Sequence, residues 1–266
     1  MDIIDINTLF GAYPSQRAES TAETLVDTLG RQGVAHALTL STWGVFYHDM
    51  AGNQETLGAT QTFADQLIPV GTVNPMTFWD SEELLHHLVQ TSFRVIRLFP
   101  KEQGWPIDFE PLRKIVGLLA QTPKPDLERI EGLPKATRGW PLWNDRGVTI
   151  MVTIDKPGDA TQLYRIVADY PAPVIVVGAT PPTLIEVLTV MNRCENMILE
   201  THQLTVPDGL ARIRDAVGAD RIVYGSGGAA LSIRAAIDYV KQSSLTDAEK
   251  AAVLGGNTSS ILQGGR

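Results

Sequence analysis

Cysteine is almost absent from this sequence, in which Cys194 is the single example among 266 residues. An internal disulfide is therefore excluded, and with it the disulfide-stabilised scaffold of many small secreted proteins. The first residues, MDIID, also lack the basic start and the long apolar run of a secretory signal peptide. These absences predict a cytoplasmic protein.

Long apolar runs and an excess of positive charge are lacking as well. No stretch approaches the ~18 consecutive apolar residues of a membrane-spanning helix, so we expect no membrane partner. The 22 basic and 30 acidic side chains give a formal net charge of −8, and an acidic surface repels nucleic acid. The partners that remain are a small-molecule ligand and, in a homo-oligomer, further copies of the chain.

What the sequence does contain is a regular alternation of short apolar runs with amphipathic helical stretches. The runs are rich in Val and Ile and lack the polar alternation of a solvated sheet, as is typical of parallel strands covered on both faces. They occupy residues 3–6, 35–40, 67–72, 93–98, 148–154, 174–177, 197–200 and 221–224.

Eight strands with helical crossovers favour a closed α/β structure, the (β/α)₈ or TIM barrel, and such barrels reach roughly 250 residues as one domain. No G-x-G-x-x-G follows the first strand, which disfavours a dinucleotide-binding fold. We therefore predict a single barrel domain over residues 1–266. One connection, residues 121–146, is unusually long and holds four prolines and two tryptophans; it is predicted to be an insertion that covers the barrel mouth or is purely structural.

Five segments resemble, in the same order, the motifs of one known family. The family's first strand typically reads I-I-D-x-H-x-H, where residues 3–9 read IIDINTL, and its last reads R-I-L-F-G-S-D, where residues 221–227 read RIVYGSG. VGTVNP at 70–75, FRVIRL at 93–98 and GGNTSSIL at 255–262 are similar to its third strand, its fourth strand and its terminal helix. The chain thus resembles the amidohydrolase-related superfamily, in its smaller branch of metal-dependent hydrolases and decarboxylases.

This resemblance implies a divalent metal at the carboxyl ends of the strands, where it would acidify a bound water and polarise a carbonyl group. The two first-strand histidines of the family fall on Asn7 and Leu9, and those of the fifth and sixth strands fall near Thr153 and Gly178. The aspartate after the eighth strand falls on Gly227. None of these residues offers the imidazole or carboxylate donor that such ions prefer, so we predict that the usual metal centre is absent and that no cofactor is bound.

The candidate catalytic residues are Asp155, Glu200 and His202. Each follows or ends a predicted strand, where the functional residues of a barrel lie. A carboxylate pair with an imidazole could perform general acid–base chemistry, and Glu200 and His202, two residues apart, share a face. The alternative interpretation of Glu200 and His202 is a polar strand end bonded to neighbouring loops.

Five further residues are candidates for ligand binding at the same end: Asn7, Trp43, His48, Arg97 and Ser226. Trp43 belongs to an aromatic loop that could stack on a ligand or serve ordinary loop packing. Arg97 could bind a carboxylate or phosphate, or neutralise Asp5 or Asp155 inside the barrel. Ser226 lies in a glycine-rich loop whose backbone N–H groups could hold an anion.

Two functional hypotheses follow from these residues. The first is an amidohydrolase-related barrel of hydrolase ancestry that has lost its metal centre and binds a small molecule. The second is a divergent hydrolase or decarboxylase that acts on a small carboxylate or amide with a rebuilt active site. The second hypothesis requires Asp155, Glu200 and His202 to converge on one pocket.

Overall fold

The structure, a computed structural model, describes residues 2–14, 20–90, 93–122, 146–228 and 230–264. Almost all of the predicted insertion at 121–146 lies outside the described residues. Within the described part of the chain, no helix is long and apolar enough to cross a membrane.

All strands of the structure are parallel and follow one another around a barrel. Their bounds are β1 Ile3–Phe10, β2 Val34–Ser41, β3 Leu67–Pro69, β4 Gly71–Thr72, β5 Val95–Leu98, β6 Thr149–Thr153, β7 Val174–Val177, β8 Met197–Glu200 and β9 Ile222–Val223. They pair in the orders β1-β2-β3 and β4-β5-β6-β7-β8-β9. β3 and β4 together form the predicted third strand, interrupted at Val70, whose N–H still donates to Thr39 O of β2 at 2.9 Å.

Main-chain hydrogen bonds join the first strand to the last segment of the barrel. Ile6 N donates to Tyr224 O at 3.1 Å, and Gly227 N donates to Asn7 O at 3.0 Å. Leu9 N donates to Gly228 O at 2.6 Å, within a parallel bridge between Thr8 and Gly228. These bonds close the (β/α)₈ barrel, and the predicted fold class is confirmed.

Helices cover the outer face of this barrel. Their bounds are α1 Ala22–Arg31, α2 Thr42–Phe46, α3 Asp49–Thr62, α4 Ser81–Gln90, α5 Pro100–Gln103, α6 Glu110–Gln121, α7 Asp159–Val167, α8 Pro181–Met191, α9 Gly209–Val217, α10 Ile233–Lys241, α11 Asp247–Ala251 and α12 Asn257–Leu262. Leu29, Leu112 and Leu163 are fully buried in the layer between helices and strands. This continuous apolar layer explains why the strand segments read as unbroken Val and Ile runs.

Strand alternation decides which side chains reach the barrel interior. Val95 of β5, Met151 of β6 and Ile198 of β8 belong to the interior cluster, whereas their neighbours pack outward against the helices. Side chains two residues apart on a strand share a face. Arg97 therefore points inward like Val95, and Glu200 points inward like Ile198, each two residues nearer the carboxyl end of its strand. We call this end, where the strands finish, the barrel mouth.

One wall of the mouth depends on a close contact between two glycines. A Cβ built at Gly52 of α3 would lie 2.0 Å from Gly44 N and 2.2 Å from Gly44 Cα of α2. These are backbone atoms, so no side-chain rotation could relieve the clash. The contact fixes the short segment that carries Trp43 and His48.

We predict that Gly52→Ala lowers the free energy of unfolding by about 3 kcal/mol or more, because the added methyl group overpacks two backbones. Gly58→Ala is the matched control in the same helix, since nothing lies within 4 Å of its added Cβ. The control should gain about 0.5–1 kcal/mol from helix propensity. Urea unfolding measures both, and equal effects of the two substitutions would contradict the interlocking glycines.

Candidate functional site

The first strand brings a buried carboxyl group to the mouth. Asp5 is completely buried, and its Oδ1 accepts hydrogen bonds from Asn7 N and Ser226 N, both at 3.0 Å. Burial raises the pKa of Asp5 from its ordinary 3.8 to about 7, although the hydrogen bonds from Ser226 and Asn7 oppose this rise and the charge of Glu200 adds to it. Asp5 therefore ties β1 to the segment after β9.

Asn7 and Arg97 meet inside the barrel although 90 residues separate them. Arg97 Nη1 donates to Asn7 Oδ1 at 2.5 Å, and the guanidinium lies 4.5 Å from the centre of the Phe99 ring. Asn7 lies where the pairing of β1 with β2 shifts register, between Asp5 and Thr8. Desolvation lowers the pKa of Arg97, while the carboxylate of Glu200 opposes the fall. The mouth thus contains a buried positive charge.

Glu200 and His202 form a direct pair at the end of β8. Glu200 is completely buried; its Oε1 accepts from His202 N at 2.7 Å, and its Oε2 lies 2.5 Å from His202 Nδ1. A Cβ at Gly225 would lie only 2.1 Å from Glu200 Oε1, so the glycine provides the space that the carboxylate fills. The partner of Nδ1 fixes the orientation of the ring and leaves Nε2 for other contacts.

The His202 ring lies against Gly227, the position that the resemblance equates with the family's aspartate. A Cβ at Gly227 would lie 3.0 Å from His202 Cδ2, and the φ of Gly227 is +66°, a conformation that favours glycine. An aspartate at 227 would therefore be strained and would press on the imidazole. The ring fills part of the volume in which that carboxylate would stand.

The structure separates the predicted catalytic residues into two places. Glu200 and His202 are in contact, whereas Asp155 is half-exposed and pairs with Lys101 at the surface. The Asp155 N–H donates to Asp159 Oδ2 at 2.9 Å, which completes a local turn. Asp155 therefore has a different set of partners from the Glu200–His202 pair.

Of the predicted ligand-binding residues, Asn7, Arg97 and Ser226 lie in or beside this cluster, and Trp43 and His48 lie on the α2–α3 segment. The Trp43 and Tyr47 rings are stacked with their centres 4.6 Å apart, and the side chains of both are largely exposed. His48 Nδ1 accepts from Ala51 N at 3.3 Å and so caps α3. His48 therefore has a structural role, and its part in ligand binding stays a prediction.

A cavity of about 750 Å³ opens beside the cluster, next to the ends of β8 and β9. His202 and Ser226 line its inner end, and its walls include Leu204, Leu231 and Tyr239. The wall residues were not predicted from the sequence, because ordinary apolar residues in loops and on α10 carry no chemical signal. Their position after β8 and β9, on the functional side of a barrel, is the one clue that could have identified them.

Among the described residues, no group of three or more His, Cys, Asp or Glu side chains is arranged to hold a metal ion. At the positions that the resemblance assigns to metal ligands, Leu9 packs in the interior core and the oxygen of Asn7 accepts from Arg97. Thr153, Gly178 and Gly227 complete the set and carry no imidazole or carboxylate. Potential donors beside these positions are Asp5, whose Oδ1 is bonded to Asn7 N and Ser226 N, and Glu200 and His202, which are bonded to each other.

The fold agrees with a comparison to known proteins. The amidohydrolase family profile matches residues 19–262, and the chain belongs to this family, as the sequence motifs predicted. The comparison with curated proteins gave no match.

Solved structures with the same fold share little sequence with this chain. An uncharacterized TIM-barrel protein from Bordetella bronchiseptica is 14% identical, with a TM-score of 0.69 over 100% of both chains. The 2,6-dihydroxybenzoate decarboxylase from Rhizobium is 12% identical, with a TM-score of 0.70 over 98% of each chain. A dihydroxybenzoic acid decarboxylase from Polaromonas sp. JS666, solved with manganese and the inhibitor 2-nitroresorcinol, is 12% identical, with a TM-score of 0.69 over 98% of this chain and 96% of its own. These similarities establish the fold.

The raised pKa of Asp5 predicts a pH-dependent stability. Between pH 4 and pH 7 the unfolded chain releases this proton while the folded chain retains it, so the free energy of unfolding falls as pH rises through that window. Asp5→Asn keeps an oxygen for the two N–H donors but cannot ionise. Relative to wild type, the variant should gain up to about 4 kcal/mol between pH 4 and pH 8.

Denaturant unfolding at a series of pH values measures this difference. Asp27→Asn, which removes an exposed carboxyl on α1, controls for the loss of one negative charge. If Asp5→Asn and Asp27→Asn differ from wild type by amounts that stay constant with pH, Asp5 is ionised in the folded protein and the prediction is wrong.

Proposed function

We propose that this chain binds a small molecule at the barrel mouth and that it does so without a divalent metal at the family's ligand positions. The observation that carries the proposal is the hydrogen bond from Arg97 Nη1 to Asn7 Oδ1 at 2.5 Å. Through this bond the guanidinium of Arg97, itself a cation, takes the side-chain oxygen of Asn7, the residue at the family's first ligand position.

The residues at these positions do not fit a dication, for two physical reasons. An amide oxygen, a leucine, a threonine and two glycines are poor ligands for zinc or manganese. In addition, an ion held by Asn7 Oδ1 would lie roughly 4 Å from the Arg97 charge. At an effective dielectric constant of about 20, their repulsion would cost about 8 kcal/mol.

The cavity beside the cluster supports the binding part of the proposal. Concave sites with apolar walls and a few polar groups are the usual places for small ligands, and in barrels they lie at the carboxyl ends of the strands. This cavity lies at that end and has His202 at its inner side.

Metal analysis tests the proposal directly. Protein purified without chelator should contain well under 0.1 equivalent of zinc, manganese or iron per chain by elemental mass spectrometry. Added manganese or zinc should not raise the midpoint of thermal unfolding, since a ligand that binds only the folded state must stabilise it. About one equivalent of metal per chain, removable by chelator with loss of stability, would refute the metal-independent site.

The Glu200–His202 pair supports a second candidate, a hydrolase that uses this pair alone, because Asp155 does not converge with it as the three-residue hypothesis required. With Nδ1 held by the carboxylate, Nε2 could take a proton from water as the water oxygen attacks an acyl carbon, and could return it to the leaving group. Because no Lys or Arg is among the described cavity-lining residues, a neutral ester or amide suits the cavity better than a carboxylate.

Hydrolysis of 2-naphthyl acetate in the presence of chelator tests this second candidate. If the pair is catalytic, His202→Gln should lower the enzymatic rate by about 10²-fold or more, the usual contribution of general acid–base catalysis. His86→Gln, an exposed histidine on α4, is the control and should keep the wild-type rate. Equal rates for wild type, His202→Gln and a protein-free blank would rule out the hydrolase and leave the binding function in place.

A further inference from the structure

The walls of the cavity beside β8 and β9 carry no fixed charge. The described residues that line it include no Asp, Glu, Lys or Arg. Leu204, Val206, Leu231 and Ala236 form much of its surface, and the ring of Tyr239 lies beside them. A ligand in this cavity is therefore surrounded mainly by hydrocarbon.

Several of the polar groups in the walls are bonded to the backbone. The Tyr239 hydroxyl donates to Val206 O at 3.0 Å, and Ser232 Oγ accepts from Ala235 N at 3.3 Å. Thr201 Oγ1 accepts from Gly225 N at 3.2 Å and donates to Gly225 O at 3.4 Å. These bonds use part of the hydrogen-bonding capacity of the three hydroxyl groups.

His202 is held in place by Glu200 and still has one unused ring nitrogen. Its side chain is only 9% exposed, and its Nδ1 and backbone N both face Glu200. Nε2 lies on the opposite side of the ring from Nδ1 and has no partner among the described residues. The cavity thus offers a directional polar contact on a largely buried side chain that Glu200 holds in place, beside the more exposed Gln203 and Thr205.

We propose that this cavity binds a neutral ligand with an apolar body and a hydroxyl group that hydrogen-bonds to His202 Nε2. This inference rests on the proposed binding function and specifies the chemical class of its ligand. A hydroxyl suits Nε2 because it can either donate or accept a hydrogen bond. The apolar body replaces water along the hydrocarbon walls, which is the main source of affinity for such sites.

The same geometry discriminates against carboxylates. An ionised carboxylate that enters an apolar cavity loses its hydration and finds no cation in the described walls to compensate. The buried Arg97 does not line the cavity and is bonded to Asn7. Glu200 lies directly behind His202 and repels a second negative charge. The ligand class therefore differs from the dihydroxybenzoates named for two structurally similar decarboxylases.

Three fluorescent probes test the proposal on the full-length protein: 2-naphthol, naphthalene and 6-hydroxy-2-naphthoate. At pH 7.5, 2-naphthol should bind at least tenfold more tightly than 6-hydroxy-2-naphthoate, because the two differ by the ionised group. It should also bind at least fivefold more tightly than naphthalene, which lacks the hydroxyl. Fluorescence titration gives the three dissociation constants.

A surface substitution tests whether the binding occurs in this cavity. Leu231 is 48% exposed, and its Cδ1 lies beside His202 over Gly227. Leu231→Arg adds a cation at this point and should increase the affinity for 6-hydroxy-2-naphthoate at least tenfold. Ile185→Arg, at an exposed apolar residue of α8 outside the cavity, should change the affinity for neither 6-hydroxy-2-naphthoate nor 2-naphthol.

The possible outcomes distinguish a failure of the proposed ligand class from a failure of the proposed binding function. Tighter binding of 6-hydroxy-2-naphthoate than of 2-naphthol by the wild type would overturn the neutral ligand class and keep the binding function. Equal affinity for 2-naphthol and naphthalene would overturn the hydroxyl contact to His202. No saturable binding of any probe, or the same response to Leu231→Arg and Ile185→Arg, would overturn both the ligand class and this cavity as the binding site.

Discussion

A buried guanidinium at the mouth of the barrel constrains everything around it. A cation removed from water must be compensated by hydrogen bonds, opposite charge or an aromatic face. Arg97 has all three, from the amide oxygen of Asn7, the nearby carboxylate of Glu200 and the ring of Phe99. Because Arg97 and Glu200 both point inward from strand ends, the barrel mouth carries an internal positive charge close to a buried carboxyl group.

This arrangement divides the mouth into a polar part and an apolar part. The polar part consists of Asp5, Asn7, Arg97 and Glu200, which are largely bonded to one another or to the backbone and almost inaccessible. The apolar part is the cavity beside β8 and β9. His202 connects the two parts, because one of its ring nitrogens faces Glu200 and its ring also lines the cavity. The polar part would therefore act on a ligand in the cavity mainly through the orientation of one imidazole.

The sequence predicted the barrel and most of its strands, since each apolar run has to be buried on both sides. The seventh and eighth strands of the structure, Val174–Val177 and Met197–Glu200, have the predicted bounds. The first strand extends to Phe10 rather than Ile6, because polar Asn7 and Thr8 are held by main-chain bonds to the segment after β9. An apolar pattern contains no information about such bonds.

The site was predictable only where its residues are close in sequence. Glu200 and His202 were expected to share a face because they are two residues apart, and the structure places them in contact. The bond between Arg97 and Asn7 spans 90 residues and depends on a local register shift, so no pattern in the chain indicated it. Asp155 was grouped with Glu200 and His202 because all three follow strands, but the position of a strand end does not determine which surface partner, here Lys101, a side chain will take.

The glycine at position 227 also bears on how such a barrel could change its chemistry over time. Its positive φ and its contact with the imidazole mean that a carboxylate cannot be added there while the rest of the mouth stays as it is. A side chain that replaced Asn7 would likewise have to fit against the Arg97 guanidinium, to which Asn7 is now bonded. Replacements at positions 7 and 227 therefore require changes in their neighbours as well, and neither is favourable by itself.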